Sequence, residues 1–329
     1  MPSSVKEILS EKRVNEVVKE IKTVIAYLKN QAYLDPSKNF EPLKSGITNK
    51  KMVFIDKAAE MLLAEKLKQI FCPEYDVSVY GEESLGLKHI VKSGDLGRFS
   101  QVIEEKEKIT ILLDAIDGTD LYLKNLGNWC TAVLIYTEKE KKILGSFVGL
   151  PSGTVYFSTD DIKGVAKINA EWKMSAVSAA SSKLDFKTIT LSWYGQKAKN
   201  FLSLARHKKF MAFLETQQKD SNFRMLNISG IPLMIRLIDN LVPINLIVEL
   251  YGQQPHDMIA GAYLAKKTDT VLTDLDGKPL DFSHYLTDLR GDRIKYILAT
   301  SKQLHKEALQ IFKSSKSTTL NSPKTQRKK

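Results

Sequence analysis

The sequence predicts an α/β protein, and three observations carry that prediction. Apolar side chains at Val14, Val17, Val18, Ile21, Val24, Ile25 and Leu28 recur at helical spacing. Short apolar runs such as Ile109–Leu113, Cys130–Tyr136 and Ile244–Leu250 are bounded by turn residues, as strands are. Both patterns occur in residues 1 to about 180 and again in about 181 to 312, with no internal repeat between them. The 329 residues, 43% of them hydrophobic, are enough to fill the core of one large domain or two smaller ones. We expect one unit over 1–312, with an N-terminal and a C-terminal half.

Taken in order, the first helix covers about Val5 to Leu28. Tyr33–Lys51, with two prolines and scattered polar residues, reads as loop or irregular chain. Asp56 opens a second helical pattern through Ala59, Leu62, Leu63, Leu67 and Ile70. An acid at that position suits a helix N-terminus, which does not exclude a metal-facing role. Val77–Tyr80 is a short strand running into Gly81-Glu-Glu-Ser84, and Leu85–Lys108 is a charged, glycine-dotted excursion. After Ile109–Leu113, the runs Cys130–Tyr136, Ile143–Leu150 and Val155–Ser158 suggest an antiparallel meander. In the second half, Thr188–Trp193 is a strand and Gly195 to about Gln217 is mostly helical. Asn222–Ile228 is a short strand entering a loop, and Ile231–Leu241 is a helix. Ile244–Leu250 is a strand with Glu249 near its end, followed by a helix over Asp257–Lys267. Tyr296–Thr300 and Lys302–Phe312 are the last strand and the closing helix.

Composition narrows the function classes. No apolar run approaches the ~18–20 residues of a membrane span. The N-terminal Met1-Pro-Ser-Ser-Val-Lys-Glu is charged within a few residues and has no signal core. Cys72 and Cys130 are the only cysteines, which gives neither a disulfide framework nor a thiolate zinc site. A cytoplasmic location is the expectation. The net charge is +11, but Lys313–Lys329 carries six Lys/Arg and no acid, leaving +5 on the rest. That tail is rich in Ser, Thr, Asn and Pro and reads as disordered, with at most weak contact to RNA, anionic lipid or an acidic partner. The moderately basic body suits an anionic small molecule as readily as a polymer.

Asp114-Ala-Ile-Asp-Gly-Thr119 carries the chemistry. A strand delivers Asp114, and Gly118 permits the chain to turn. If Asp117 folds back beside Asp114, two carboxylates and the Ile116 carbonyl face one small volume. Like charges that close need a cation between them, and all-oxygen ligands favour Mg²⁺, Mn²⁺ or Ca²⁺ over zinc. The N–H groups of Gly118 and Thr119 suit a phosphate oxygen. An EF-hand is excluded, because its acids alternate and Asn125 stands where its twelfth residue should be Glu. Taken alone, these six residues also fit a plain acidic strand-to-turn junction.

Gly81-Glu-Glu-Ser84, Asp114–Thr119 and His256-Asp-Met-Ile-Ala-Gly261 together resemble the ordered motifs of the inositol monophosphatase family. Order and rough spacing agree across most of residues 40–300. The resemblance implies a layered αβαβα sandwich of the inositol monophosphatase/fructose-1,6-bisphosphatase type, a homodimer, and two or three Mg²⁺ ions, with Mn²⁺ possible. By resemblance, Glu82 is the first-metal carboxylate, Asp114 bridges metals and Ile116 offers its carbonyl. Asp117 and Asp257 resemble ligands of the second metal. Thr119 resembles the threonine that orients the attacking water and, with Gly118, touches phosphate. Asp56 resembles an outer acid assisting a further ion. Lys44 falls near the family's phosphate-side lysine. Glu249 lies one residue out of register with an acid that binds substrate hydroxyls, so a substrate role and a packing role both stay open. His256 stands where the family has Trp, and is either a general base or a packing residue. Ala115 replaces a usual Pro, Leu121-Tyr122 a usual Asn-aromatic pair, and Lys266-Lys-Thr-Asp-Thr270 a usual Glu-Ala-Gly-Gly.

The implied reaction is hydrolysis of a small phosphate monoester, inositol monophosphate or a related sugar phosphate. A bound Mg²⁺ pair supplies charge neutralisation and a water of lowered pKa. Thr119, with Glu82 or Asp56 as acceptor, would align and deprotonate that water, so no phosphoenzyme is needed. Fructose 1,6-bisphosphate and 3′-phosphoadenosine 5′-phosphate are the alternative substrates. Two rival readings are weaker. Asp274-Leu-Asp-Gly-Lys278 resembles the nucleophile motif of haloacid-dehalogenase phosphatases, but only 53 residues follow Asp276, and a β-turn at Asp276-Gly277 explains it better. A non-catalytic member binding RNA or protein through its basic tail finds no phosphate-loop or aromatic-basic signature to support it.

Overall fold

The computed structural model describes residues 8–34, 42–44, 51–81, 106–177, 189–195, 197–217, 222–241, 244–289 and 291–313. Among these, no helix is long and apolar enough to cross a membrane. The tail beyond Lys313 and nearly all of the 85–108 excursion lie outside the described residues.

The N-terminal half starts with α1 (Glu11–Leu34), a hairpin of β1 (Pro42–Lys44) and β2 (Lys51–Val53), and α2 (Phe54–Phe71). The sheet strands follow: β3 (Asp76–Gly81), β4 (Lys108–Asp117), β5 (Cys130–Thr137), β6 (Ile143–Gly149), β7 (Val155–Thr159), β8 (Ala166–Ile168) and β9 (Met174–Ala176). The short α3 (Thr119–Tyr122) interrupts them after β4. These seven strands form one sheet in sequence order, parallel between β3 and β4 and antiparallel from β4 onward. The predicted meander is therefore present, and two further short strands extend it.

The C-terminal half holds β10 (Thr190–Ser192), α4 (Ala198–Ala205), α5 (Lys208–Thr216), β11 (Arg224–Leu226) and α6 (Ile231–Ile238). Then come β12 (Leu246–Gln253), α7 (Ile259–Lys266), β13 (Val271–Thr273), α8 (Phe282–Thr287), β14 (Ile294–Ala299) and α9 (Lys302–Phe312). Its five strands order as β11-β10-β12-β14-β13.

Alternation along the strands builds the layers. Successive strand residues point to opposite faces. Ile109, Ile111 and Leu113 of β4 join one core with Val17 and Ile21 of α1 and Leu63 of α2. Leu112, between them, faces a second core with α6, α7 and the inner face of the other sheet. In β14, Tyr296 and Leu298 face that second core, while Ile297 and Ala299 face a third with α4, α5 and α9. The result is helix, sheet, helix, sheet, helix: the expected αβαβα sandwich. Nearly every residue of α6 and α7 is buried, as a helix held between two sheets requires.

Two local expectations differ from the structure. Tyr33–Lys51 is not wholly irregular, because Pro42–Lys44 pairs antiparallel with Lys51–Val53. A three-residue ladder rests on backbone bonds and leaves no periodicity to read. The strand into the central motif does not stop at Asp114 but continues to Asp117 through a bulge.

Candidate active site

The chain changes direction through this bulge before it reaches the turn at Gly118. Asp114 pairs with Ala132 and Asp117 with Cys130, so β4 spends one residue more than β5 across that interval. A bulge re-aims side chains on the strand that carries it. The carbonyl it leaves at Ala115 accepts the Thr131 hydroxyl at 2.9 Å. Asp114, 2% exposed, accepts the Ile116 N–H at 3.0 Å, which fixes its carboxylate under the bulge. Gly118 then turns the chain with φ +95°, where a Cβ would also lie 2.7 Å from the Asn128 carbonyl. Only glycine fits there.

That turn starts α3 at Thr119. The Thr119 hydroxyl lies 3.0 Å from Asp56 Oδ2 and 2.9 Å from the Ile116 carbonyl. Asp56 is in the first turn of α2 and 3% exposed. Its carboxylate therefore meets both a helix N-terminus and the threonine. Tyr122 anchors α3 from below: its hydroxyl donates to the Leu28 carbonyl at 2.9 Å, and its ring meets Trp129 edge-on at 5.2 Å. Burial pushes that phenol up to about 12.

Asp117 points the other way, to the second half of the chain. Its Oδ2 accepts the Ile231 N–H at 2.7 Å, the first N–H of α6. Gly230, at φ +110°, lets the helix approach, since a Cβ there would sit 3.0 Å from the same oxygen. Asp257 lies in the turn before α7, with His256 Nε2 3.0 Å from its Oδ1. Tyr194 marks where these groups converge. Burial first, and then the charges of Asp120, Asp117, Asp257 and Glu249, push its phenol up to about 12. Tyr296 is raised by burial and by Glu249, Asp117 and Asp257 among others.

Glu249 is 1% exposed and accepts the N–H groups of Tyr194 at 3.3 Å and Gly252 at 3.2 Å. Burial outweighs those bonds and holds its carboxyl up at about 7. Lys44 ends β1, where its backbone pairs with Lys51. Glu82 lies outside the described residues. Tyr194 and Ile231 N were not singled out from sequence. The Gly-Ile-Pro run at 230–232 was the available signal, because Pro in a first turn marks a helix start.

Asp56, Asp114, Asp117, Asp257 and the Ile116 carbonyl offer oxygen only, the donor set that suits a hard divalent cation. Two of the four carboxylates, Asp114 at the bulge and Asp56 in the first turn of α2, are almost wholly buried. Among the described residues, no three Asp, Glu, His or Cys side chains are gathered closely enough to hold an ion by themselves.

A sequence model described as the inositol monophosphatase family matches residues 13–317. The chain belongs to the inositol monophosphatase family. Solved inositol monophosphatase-like structures share the fold. One is a hypothetical protein from Pyrococcus horikoshii with similarities to inositol-1 monophosphatase, 18% identical, covering 94% of this chain and 100% of that one, TM-score 0.60. The extragenic suppressor protein suhB from Bartonella henselae is 12% identical, covering 93% and 100%, TM-score 0.63. Staphylococcal inositol monophosphatase II with inositol monophosphate bound is 14% identical, covering 90% and 91%, TM-score 0.58. No curated protein matches this inositol monophosphatase family chain in sequence. Family membership and fold support a phosphatase.

Proposed function

We propose that this chain is a Mg²⁺-dependent phosphate monoester hydrolase acting on inositol monophosphate or a related small sugar phosphate, as a cytoplasmic homodimer. The observation that carries the reading is the Thr119 hydroxyl set between Asp56 and the Ile116 carbonyl at the bulged end of β4. The inositol monophosphate bound by the staphylococcal relative supports the substrate class.

Asp114, Asp117, Asp257, the Ile116 carbonyl and Glu82 would hold the cation. Mg²⁺, when bound, supplies charge neutralisation of the phosphate and a water of lowered pKa. The remaining work falls to the chain. Thr119 has one hydroxyl proton and two acceptors beside it. When it donates to Asp56, its lone pair is fixed in direction and can accept a hydrogen bond from the attacking water. The proton then has an acceptor in Asp56 Oδ2, or in Glu82. The N–H groups at Gly118 and Thr119 receive a phosphate oxygen. Buried flanks at Asp56 and Asp114 exclude bulk water, which strengthens each of these interactions.

The test is phosphate release from inositol 1-phosphate, fructose 1,6-bisphosphate and 3′-phosphoadenosine 5′-phosphate, with Mg²⁺ and with EDTA. Mg²⁺-dependent release from at least one is expected. No release from any of them rejects the reading.

A further inference from the structure

The two helices held between the sheets are tied at both ends. At their starts they meet the site: the first N–H of α6, at Ile231, donates to Asp117, and Asp257 lies in the turn that opens α7. Gly261 lets these starts come together, since a Cβ there would lie 3.4 Å from the Ile231 Cα and 2.9 Å from the Met234 Sδ. Each helix has eight residues, so its far end is about 12 Å away. Both far ends rest on one element of the first half, the β7–β8 hairpin.

α6 ends in a buried polar cluster. Asp239, its C-cap, has a side chain only 5% exposed. Lys167 Nζ donates to both of its carboxylate oxygens at 2.8 Å, and the Tyr156 hydroxyl donates to Oδ2 at 2.7 Å. Tyr156 and Lys167 are direct partners across the β7–β8 ladder, so their side chains leave on the same face. An acid at a helix C-terminus stands at the unfavourable end of the dipole. Asp239 therefore adds nothing to α6 taken alone, and its contribution is the tie to the hairpin.

α7 ends in the opposite way, with a cation reaching the hairpin's backbone. Lys267, its C-cap, donates from Nζ to the carbonyls of Thr159, Asp160 and Ile162 at 3.2, 3.3 and 3.4 Å. An ammonium has three donors, and here three carbonyls receive them. Lys267 lies in the Lys266–Thr270 run, where the sequence departs from the family's motif.

We propose that the β7–β8 hairpin sets the axial position of α6 and α7 through these two ties, making Tyr156, Lys167 and Lys267 positioning residues for the cation that Asp117 and Asp257 would hold. This rests on the hydrolase reading above and adds residues that touch neither metal nor substrate. A helix packed on all sides moves as a unit, so a shift at its end is a shift at its start. Mg²⁺ demands near-ideal octahedral geometry, and a displaced ligand costs it affinity.

Tyr156→Phe, Lys167→Met and Lys267→Met test this in the full-length protein. Ser301→Ala is the control, since it removes the cap bond of α9 in another layer. Calorimetric titration with Mg²⁺, without substrate, should show about tenfold weaker binding in the two lysine variants and a smaller loss in Tyr156→Phe. Ser301→Ala should lower the melting temperature and bind Mg²⁺ like the wild type. Lys167→Arg, which can still give Asp239 two donors, should stay within about twofold of the wild type. Tyr156→Phe keeps the ion pair, so it supplies a result even where Lys167→Met does not fold. Amide exchange followed by NMR in EDTA adds a readout independent of metal. The Ile231 N–H should exchange about tenfold faster, relative to the β12 amide of Ile247, in Lys267→Met and Lys167→Met. Wild-type Mg²⁺ affinity in all three variants overturns the proposal, and so does a loss that Ser301→Ala reproduces. If the wild type binds no Mg²⁺, the hydrolase reading loses its cation, and the Ile231-to-Ile247 ratio decides the positioning by itself.

Discussion

Thr119 and Asp56, 63 residues apart in sequence, meet at 3.0 Å, hydroxyl to carboxylate. Two independent local features bring them there. The first turn of α2 presents the acid, and the left-handed Gly118 turns the threonine back from the end of β4. Because the hydroxyl has a single proton, its choice between Asp56 and the Ile116 carbonyl sets the direction of its lone pairs. Under the proposed hydrolase reading, a water held by those lone pairs would be oriented by the protein before substrate arrives.

Thr119→Ala and Asp117→Asn should therefore fail differently. The first leaves every carboxylate in place and removes only the orienting hydroxyl, so turnover should fall on the order of 10²-fold while metal affinity is spared. The second removes one charge from the acidic group and should weaken the metal. Raised Mg²⁺ should partly restore Asp117→Asn and leave Thr119→Ala unchanged. Equal rescue of both, or full activity in Thr119→Ala, would mean that the threonine is only a turn residue.

Gly230→Ala should disturb the same site from the far side. At φ +110°, with an added Cβ 3.0 Å from Asp117 Oδ2, alanine strains the backbone and crowds the carboxylate. We expect a loss of about 1–3 kcal/mol in stability. The Mg²⁺ concentration for half-maximal activity should also rise, because Asp117 must shift. A melting curve and Mg²⁺ dependence matching wild type would show that the helix start adjusts freely.

Legibility in the sequence followed the range of the interaction. The helical spacing of α1 and α2 and the apolar runs of β4 to β7 are written in neighbouring residues, and they were readable. The β1–β2 hairpin and the strands β8 and β9 are three residues each, too short for a period to emerge. The candidate acids could be named because they end strands or open helices. What could not be read was their mutual placement. The bond from Ile231 N to Asp117 spans 114 residues and follows from α6 lying between two sheets. Nothing near Asp117 in sequence announces it. Tyr194 was missed because a lone tyrosine after a strand carries no pattern, and only the field of four acids makes it distinctive.

The two halves should unfold as one. Leu112 and Leu134 from the first half share a core with Met234 and Leu298 from the second. Separating them would expose side chains worth about 1.5–3 kcal/mol each when buried. Trp129 reports on the outer core of the first half and Trp193 on that of the second. Single-tryptophan variants retaining one or the other should give the same denaturation midpoint. Distinct midpoints, or protease cleavage near residue 180 yielding two separately stable fragments, would show two domains instead.

Glu249 should make stability depend on pH in an unusual direction for a carboxylate. Its folded-state pKa of about 7 lies above the ordinary 4.5, with burial the largest cause. Below the ordinary value both the folded and unfolded forms are protonated, and stability is unaffected by pH at this group. Between the two values the unfolded chain has released the proton while the folded one still binds it. Stability therefore falls as pH rises through that window, and above about 7 the full cost is present. Glu249→Gln is nearly isosteric and cannot ionise, so it should be spared this loss. Chemical denaturation at pH 4.5, 6 and 7.5 should show the variant gaining on wild type by on the order of 1–3 kcal/mol across the series. The two backbone N–H groups that Glu249 accepts are satisfied about equally by a protonated acid and an amide, so the lowest pH is the fair baseline. A variant whose disadvantage or advantage stays constant with pH would show that Glu249 is ionised throughout, held by the Tyr194 and Gly252 N–H groups more firmly than burial opposes.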